Sequence, residues 1–127
     1  MPLGPLPTDA AIGFDHIANA IGATFMASIG NVGLINSLTR REHLGGIPSS
    51  DEIIEGVKAA KVAAHCVNIM RHPVMARIDE AVSDARAGRQ TCVCSGGLFD
   101  ECDDSDVKTG CARCSFECPL TLVHGRG

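Results

Sequence analysis

Residues 49–71 read SSDEIIEGVKAAKVAAHCVNIMR, and the rest of the chain is best placed by working outward from them. Ser49 with Glu52 three positions on forms a capping box, which starts a helix. Ile53, Val57, Ala60, Ala64 and Val67 then recur on one helical face, up to about Arg71. Pro73 stops that helix and suits the first turn of the next, where its missing N–H costs nothing. The second helix sets Met75, Ile78, Val82 and Ala85 on its inward side and closes near Gly88. Residues 48–88 are therefore expected to form an antiparallel helical hairpin.

Upstream, Pro2, Pro5 and Pro7 punctuate an extended lead-in as far as Ile12. A helical pattern follows from Phe14, with Ile17, Ile21, Phe25 and Ile29 at four-residue steps and Asp15 as the expected N-cap. Ala18 and Gly22 are read onto the same face as small residues that permit close approach. Gly30-Asn31 ends the helix. Val32 to Leu38 then reads as a brief buried strand. A helix followed by a strand is one step of an α/β layer.

The 127 residues amount to one domain, with a formal charge of −4 and a pI near 5.6. That balance gives no electrostatic reason to bind nucleic acid or an anionic membrane. No apolar run is long enough to span a bilayer, and the N-terminus lacks the basic start of a secretory signal. A cytoplasmic protein is expected. The chain has no Trp or Tyr and only four Phe, so it is expected to pack against something larger. Seven cysteines, an odd number, favour thiolate ligation in a reducing compartment over a disulfide framework.

Beyond Gly88 the periodicity stops, and residues 89–127 form a tail rich in Cys, Gly and Asp that needs a metal to order it. Its centre is Cys111-Ala-Arg-Cys114-Ser-Phe-Glu-Cys118-Pro119. Three thiolates spaced this closely are a soft ligand set, and three readings stand open. An iron–sulfur cluster held by three cysteines keeps one iron free for a substrate or cofactor. A fourth ligand from Cys92, Cys94 or Cys102 would instead give a closed, ferredoxin-like centre. Zinc held by Cys111 and Cys114 with Cys92 and Cys94 is the second reading, and plain thiols are the third.

Five histidines add candidates. His16 and His65 fall on helices and read as packed or surface residues; His72 sits in a helix–helix turn and His124 near the end. His43 differs, because it follows Glu42 in a loop directly after the expected strand. Strand C-termini are where α/β barrels place catalytic groups, so His43 is a candidate metal ligand.

Several motifs then occur in order: Leu3-Gly4-Pro5-Leu6-Pro7-Thr8-Asp9, Gly13-Phe14-Asp15-His16-Ile17, Ala20-Ile21-Gly22-Ala23, Thr39-x-x-Glu42-His43-Leu44-Gly45, and the run Glu55 to His65. With Ala81-Val82-Ser83-Asp84-Ala85-Arg86 and the cysteine triplet, they resemble the C-terminal part of the phosphomethylpyrimidine synthase family, radical enzymes of thiamine biosynthesis. The resemblance covers all but about residues 88–110.

The resemblance implies an α/β fragment, mainly helical. Residues 1–47 would be the last helix and strand elements of a (β/α)8 barrel, 48–88 the helix pair and 89–127 the cysteine-rich iron–sulfur tail. Cys111, Cys114 and Cys118 would hold a [4Fe-4S] cluster that cleaves S-adenosylmethionine to a 5′-deoxyadenosyl radical. That radical would convert aminoimidazole ribotide to hydroxymethylpyrimidine phosphate, a carbon–carbon lyase reaction. His43 matches one of two histidines at the family's mononuclear site for a divalent metal, zinc or iron. The other histidine, and most of the substrate pocket, would fall upstream of Met1. A barrel is therefore expected in trans, from a second copy in a homodimer or from a separate chain.

The sequence departs from the family at several points. Asn36 and Ser37 stand for Cys and Tyr, and Arg40 for Pro. The stretch 88–110 is shorter and adds Cys92, Cys94 and Cys102, and the triplet is one residue tighter. The competing expectation is a diverged, non-catalytic iron–sulfur or zinc-binding module on the same scaffold.

Overall fold

Three helices follow from the stop and start signals of the sequence: α1 (Asp15–Ile29), α2 (Ser50–Arg71) and α3 (Pro73–Gly88). They come from a computed structural model that describes residues 1–88. The chain divides into two units, residues 1–75 and a second that begins at Ala76. The tail expected over 89–127 lies outside the described residues. No helix among them is long and apolar enough to cross a membrane.

The start of α2 forms as its sequence dictates. Ser49 Oγ accepts from the Glu52 N–H at 3.3 Å, and Glu52 Oε2 accepts from the Ser49 N–H at 2.8 Å. Two of the helix's orphan donors are thereby satisfied reciprocally. The end is equally local: His72 caps α2 through its backbone N–H on the Asn68 carbonyl, and Pro73 opens α3. Along α3, Met75, Val82 and Ala85 are half-buried, while Ile78 is exposed.

Within the first unit the helix that α2 packs against is α1. His16, in the first turn of α1, faces Glu55, in the second turn of α2. At the other end the Arg71 guanidinium donates to the carbonyls of Ala27, Gly30 and Val32. The two helices therefore run in the same direction. Arg71 satisfies carbonyls that the C-terminus of α1 leaves without an intrahelical partner.

The buried faces of both helices carry small side chains. Ala18, Gly22, Ala23 and Ala27 of α1 and Gly56, Ala63 and Val67 of α2 are buried. By contrast, the stripe expected to face inward is exposed: Ile17 by 47 %, Ile21 by 58 %, Phe25 by 65 % and Ile29 by 74 %. Ala18 and Gly22 thus lie on a different face from the isoleucines, not on theirs. The reason is distance of approach, since only the alanine–glycine stripe lets backbone reach backbone. On α2 likewise, Ile53 and Val57 are exposed and only Val67 of the expected face is fully buried.

Two further expectations are corrected. Residues 32–38 are not a strand, and no strand occurs among the described residues. A strand needs a neighbour to complete its ladder, and here backbone groups are taken by side chains instead. Val32 O accepts from Arg71 and Asn36 O from Asn19 Nδ2 at 2.9 Å. The segment nevertheless returns from the C-terminal end of α1 to its N-terminal end, as the strand of an α/β step would. Secondly, Asp15 is not the N-cap. Phe14 holds that position without a side-chain bond, and Asp15 is the first helical residue.

Candidate functional site

The return segment ends in a turn, residues 40–44, that brings His43 to the N-terminal ends of both helices. Several bonds fix the turn. Leu44 N–H donates to the Arg41 carbonyl at 3.0 Å. Arg41 Nε donates to Glu52 Oε1 at 2.7 Å, so one carboxylate caps α2 and anchors the turn together. Arg40 pairs more loosely with Glu55 at 3.9 Å, and the same carboxylate lies 3.4 Å from His16 Nε2. His16 itself is buried, with Nδ1 lacking a hydrogen-bond partner among the described residues.

Asp15 holds His43 at two points. The His43 ring Nδ1 lies 2.6 Å from Asp15 Oδ1, and the His43 backbone N–H donates to Oδ2 at 3.4 Å. Asp15 is only 2 % exposed, whereas the His43 side chain is 49 % exposed. The carboxylate therefore lies just beneath the surface with the imidazole as its cover. Burial is the largest single influence on the Asp15 carboxyl and pushes its pKa up. The hydrogen bonds from the His43 ring and backbone, the imidazolium charge and the Gly13 amide together outweigh it and hold the pKa below the ordinary 3.8. The hydrogen bond to Asp15 raises the His43 pKa above 6.5, against an opposing desolvation.

These directions fix a pH window for the metal-free chain. A depressed Asp15 contributes stability above its ordinary 3.8, and that contribution is lost as pH falls through the lowered value. A raised His43 contributes below its ordinary 6.5 and loses the contribution as pH rises through the raised value. The pair thus supports the fold fully between about pH 4 and 6.5. His43→Gln is expected to lower the thermal midpoint most inside that window and progressively less above it. A deficit that is the same at pH 5 and pH 9 would contradict the pairing.

Of the residues singled out in the sequence, His43 is in place on an ordered turn. Cys111, Cys114 and Cys118, together with Cys92, Cys94, Cys102 and His124, lie outside the described residues. Cys66 is exposed on α2. Among the described residues no cluster of three or more His, Cys, Asp or Glu side chains could hold a metal ion. The described residues around His43 therefore do not by themselves make up a complete metal site. Asp15 is the residue that sequence reasoning missed. Its contact spans 28 positions, and the local cap preference of aspartate gives a sufficient but different account of it. Compared with known families, residues 1–124 match the family model described as Radical SAM ThiC family.

Proposed function

Because the chain belongs to the radical SAM ThiC family, a family of thiamine biosynthesis, we propose that it is the C-terminal part of a phosphomethylpyrimidine synthase. The reaction it serves is the conversion of aminoimidazole ribotide to hydroxymethylpyrimidine phosphate, in the cytoplasm. The observation that carries this reading is the extent of the match, which spans residues 1–124 of the 127.

Cys111, Cys114 and Cys118 hold the cluster in this reading, and the donor set fits it. Thiolates are soft ligands suited to iron, and three of them leave one position open. When bound, the cluster supplies the electron that cleaves S-adenosylmethionine and yields the 5′-deoxyadenosyl radical. His43 supplies one ligand of a mononuclear zinc or iron site, since its ring is half exposed while its other nitrogen is anchored on Asp15. The remaining ligands and the substrate pocket come from a (β/α)8 barrel, whether joined to these residues, carried by a second copy or carried by a separate chain. The described residues contribute the scaffold on which His43 is fixed: parallel helices with a return segment between them, the layout of the final α/β step of such a barrel.

One feature favours a second reading, a non-catalytic iron–sulfur or zinc module. Cys92, Cys94 and Cys102 could complete a closed four-thiolate site with members of the triplet. Anaerobic reconstitution with iron and sulfide separates the synthase reading from a zinc module, and the response of the reduced cluster's EPR signal to S-adenosylmethionine separates it from a non-catalytic iron–sulfur module. The chain is expected to take up iron and inorganic sulfide in equal amounts, and Cys111→Ala to lose both. Retention of zinc to the exclusion of iron would overturn the synthase reading.

A further inference from the structure

We propose that Asp15 is the positioning residue of His43: it holds the imidazole with the proton on Nδ1 and so makes Nε2 the atom that takes a divalent cation. The inference rests on the reading of His43 as a metal ligand and adds which atom binds and what fixes it.

The argument starts from what each group can donate. An ionised carboxylate only accepts hydrogen bonds, so an imidazole nitrogen 2.6 Å from Asp15 Oδ1 must carry the proton. Nδ1 is that nitrogen, and a neutral ring then has its lone pair on Nε2. Among the described residues Nε2 has no hydrogen-bond partner, and the side chain is half exposed. The second carboxylate oxygen accepts from the backbone N–H of the same histidine, so ring and main chain are gripped by one group. Asp15 is itself held rigidly. It is the first residue of α1, where the helix dipole favours a negative charge, and it is all but removed from solvent. A carboxylate behind a metal-binding histidine fixes the tautomer and ring direction, and its loss costs about 10–100-fold in metal affinity.

The arrangement is made before any metal arrives, which gives a test that does not depend on activity. Nitrogen-15 NMR of the full chain labelled at histidine, free of metal and at a pH where the ring is neutral, reads the tautomer of His43 directly. The expected result is a protonated Nδ1 and a bare Nε2. Zinc added beyond what the seven cysteines can take should then move the Nε2 resonance of His43. In Asp15→Asn the bias toward protonated Nδ1 is expected to disappear and zinc affinity at His43 to fall about 10–100-fold. A wild-type ring protonated on Nε2 overturns the inference, and it does so even if Asp15→Asn fails to fold. A ring protonated on Nδ1 whose Nε2 ignores zinc even at concentrations that titrate a free imidazole overturns instead the reading of His43 as a ligand, and leaves Asp15 as its positioning residue.

Discussion

Gly22→Ala is expected to cost the first unit on the order of 3 kcal/mol or more, although the same change in most helices is stabilising. Glycine is less favourable than alanine by about 1 kcal/mol within a helix, so propensity alone predicts a gain. Here a Cβ on Gly22 would sit 1.6 Å from the Pro5 carbonyl oxygen, 2.8 Å from its carbon and 3.1 Å from Pro7 Cδ. The first two atoms are backbone and cannot rotate away. The lead-in cannot yield easily either, because prolines fix its dihedrals and the Gly4 N–H donates to Asn36 Oδ1 at 3.2 Å. Relief requires the lead-in to leave α1 or α1 to shift against α2. Circular dichroism should record a thermal midpoint lower by roughly 10–20 °C. An unchanged or raised midpoint would mean that the lead-in does not cross α1 at Gly22.

Gly56→Ala should act at a second close approach, where α2 meets the return segment, with a loss of about 2–3 kcal/mol. Its Cβ would fall 2.2 Å from the Leu38 carbonyl oxygen and 3.0 Å from the Leu38 carbonyl carbon. Leu38 ends the return segment and the turn carrying His43 follows it. Displacement there must therefore reach the Asp15–His43 contact. The expected result is a lowered midpoint accompanied by a changed His43 imidazole environment in NMR, a pairing that general destabilisation elsewhere would not produce. Gly33→Ala is the control, since a Cβ there meets nothing within 4 Å. If Gly56→Ala is no worse than Gly33→Ala, the close approach of α2 to the return segment is wrong.

These two glycines mark where sequence reading works and where it stops. Helix ends are legible because their chemistry is local: Ser49 and Glu52 lie three residues apart, and Pro73 acts on its own neighbourhood. The buried face of α1 is not legible in the same way. Both the Ile17–Ile29 stripe and the Ala18–Gly22–Ala27 stripe have helical period, and hydrophobicity favours the wrong one. What decides is how near the lead-in and α2 come, and that is a tertiary property. The return segment misled for a related reason. Val32 to Leu38 has the composition of a strand and follows a strand's course, yet pairing needs a second strand that the described residues do not contain.

The candidate site divides along similar lines. His43 could be singled out because a histidine after a strand-like run, next to Glu42, sits where α/β folds collect chemistry. The family match over residues 1–124 agrees with the motifs around it. Asp15 could not be found, because a helix-start aspartate has an ordinary local explanation and nothing in the sequence ties it to a residue 28 positions away. The exposed isoleucine stripe of α1 and the Asp15-anchored His43 fit the function proposed above. In it, the described residues are a scaffold that presents His43, while the cluster ligands lie in the tail and the barrel is supplied elsewhere.

The claim on which this account stands is that the triplet holds a cluster whose open iron meets S-adenosylmethionine. Its most direct test is the EPR spectrum of the reduced, iron–sulfur-reconstituted chain, recorded with and without S-adenosylmethionine. A cluster signal that changes when S-adenosylmethionine is added, and that Cys111→Ala abolishes, is the predicted result. A cluster signal indifferent to S-adenosylmethionine would contradict it.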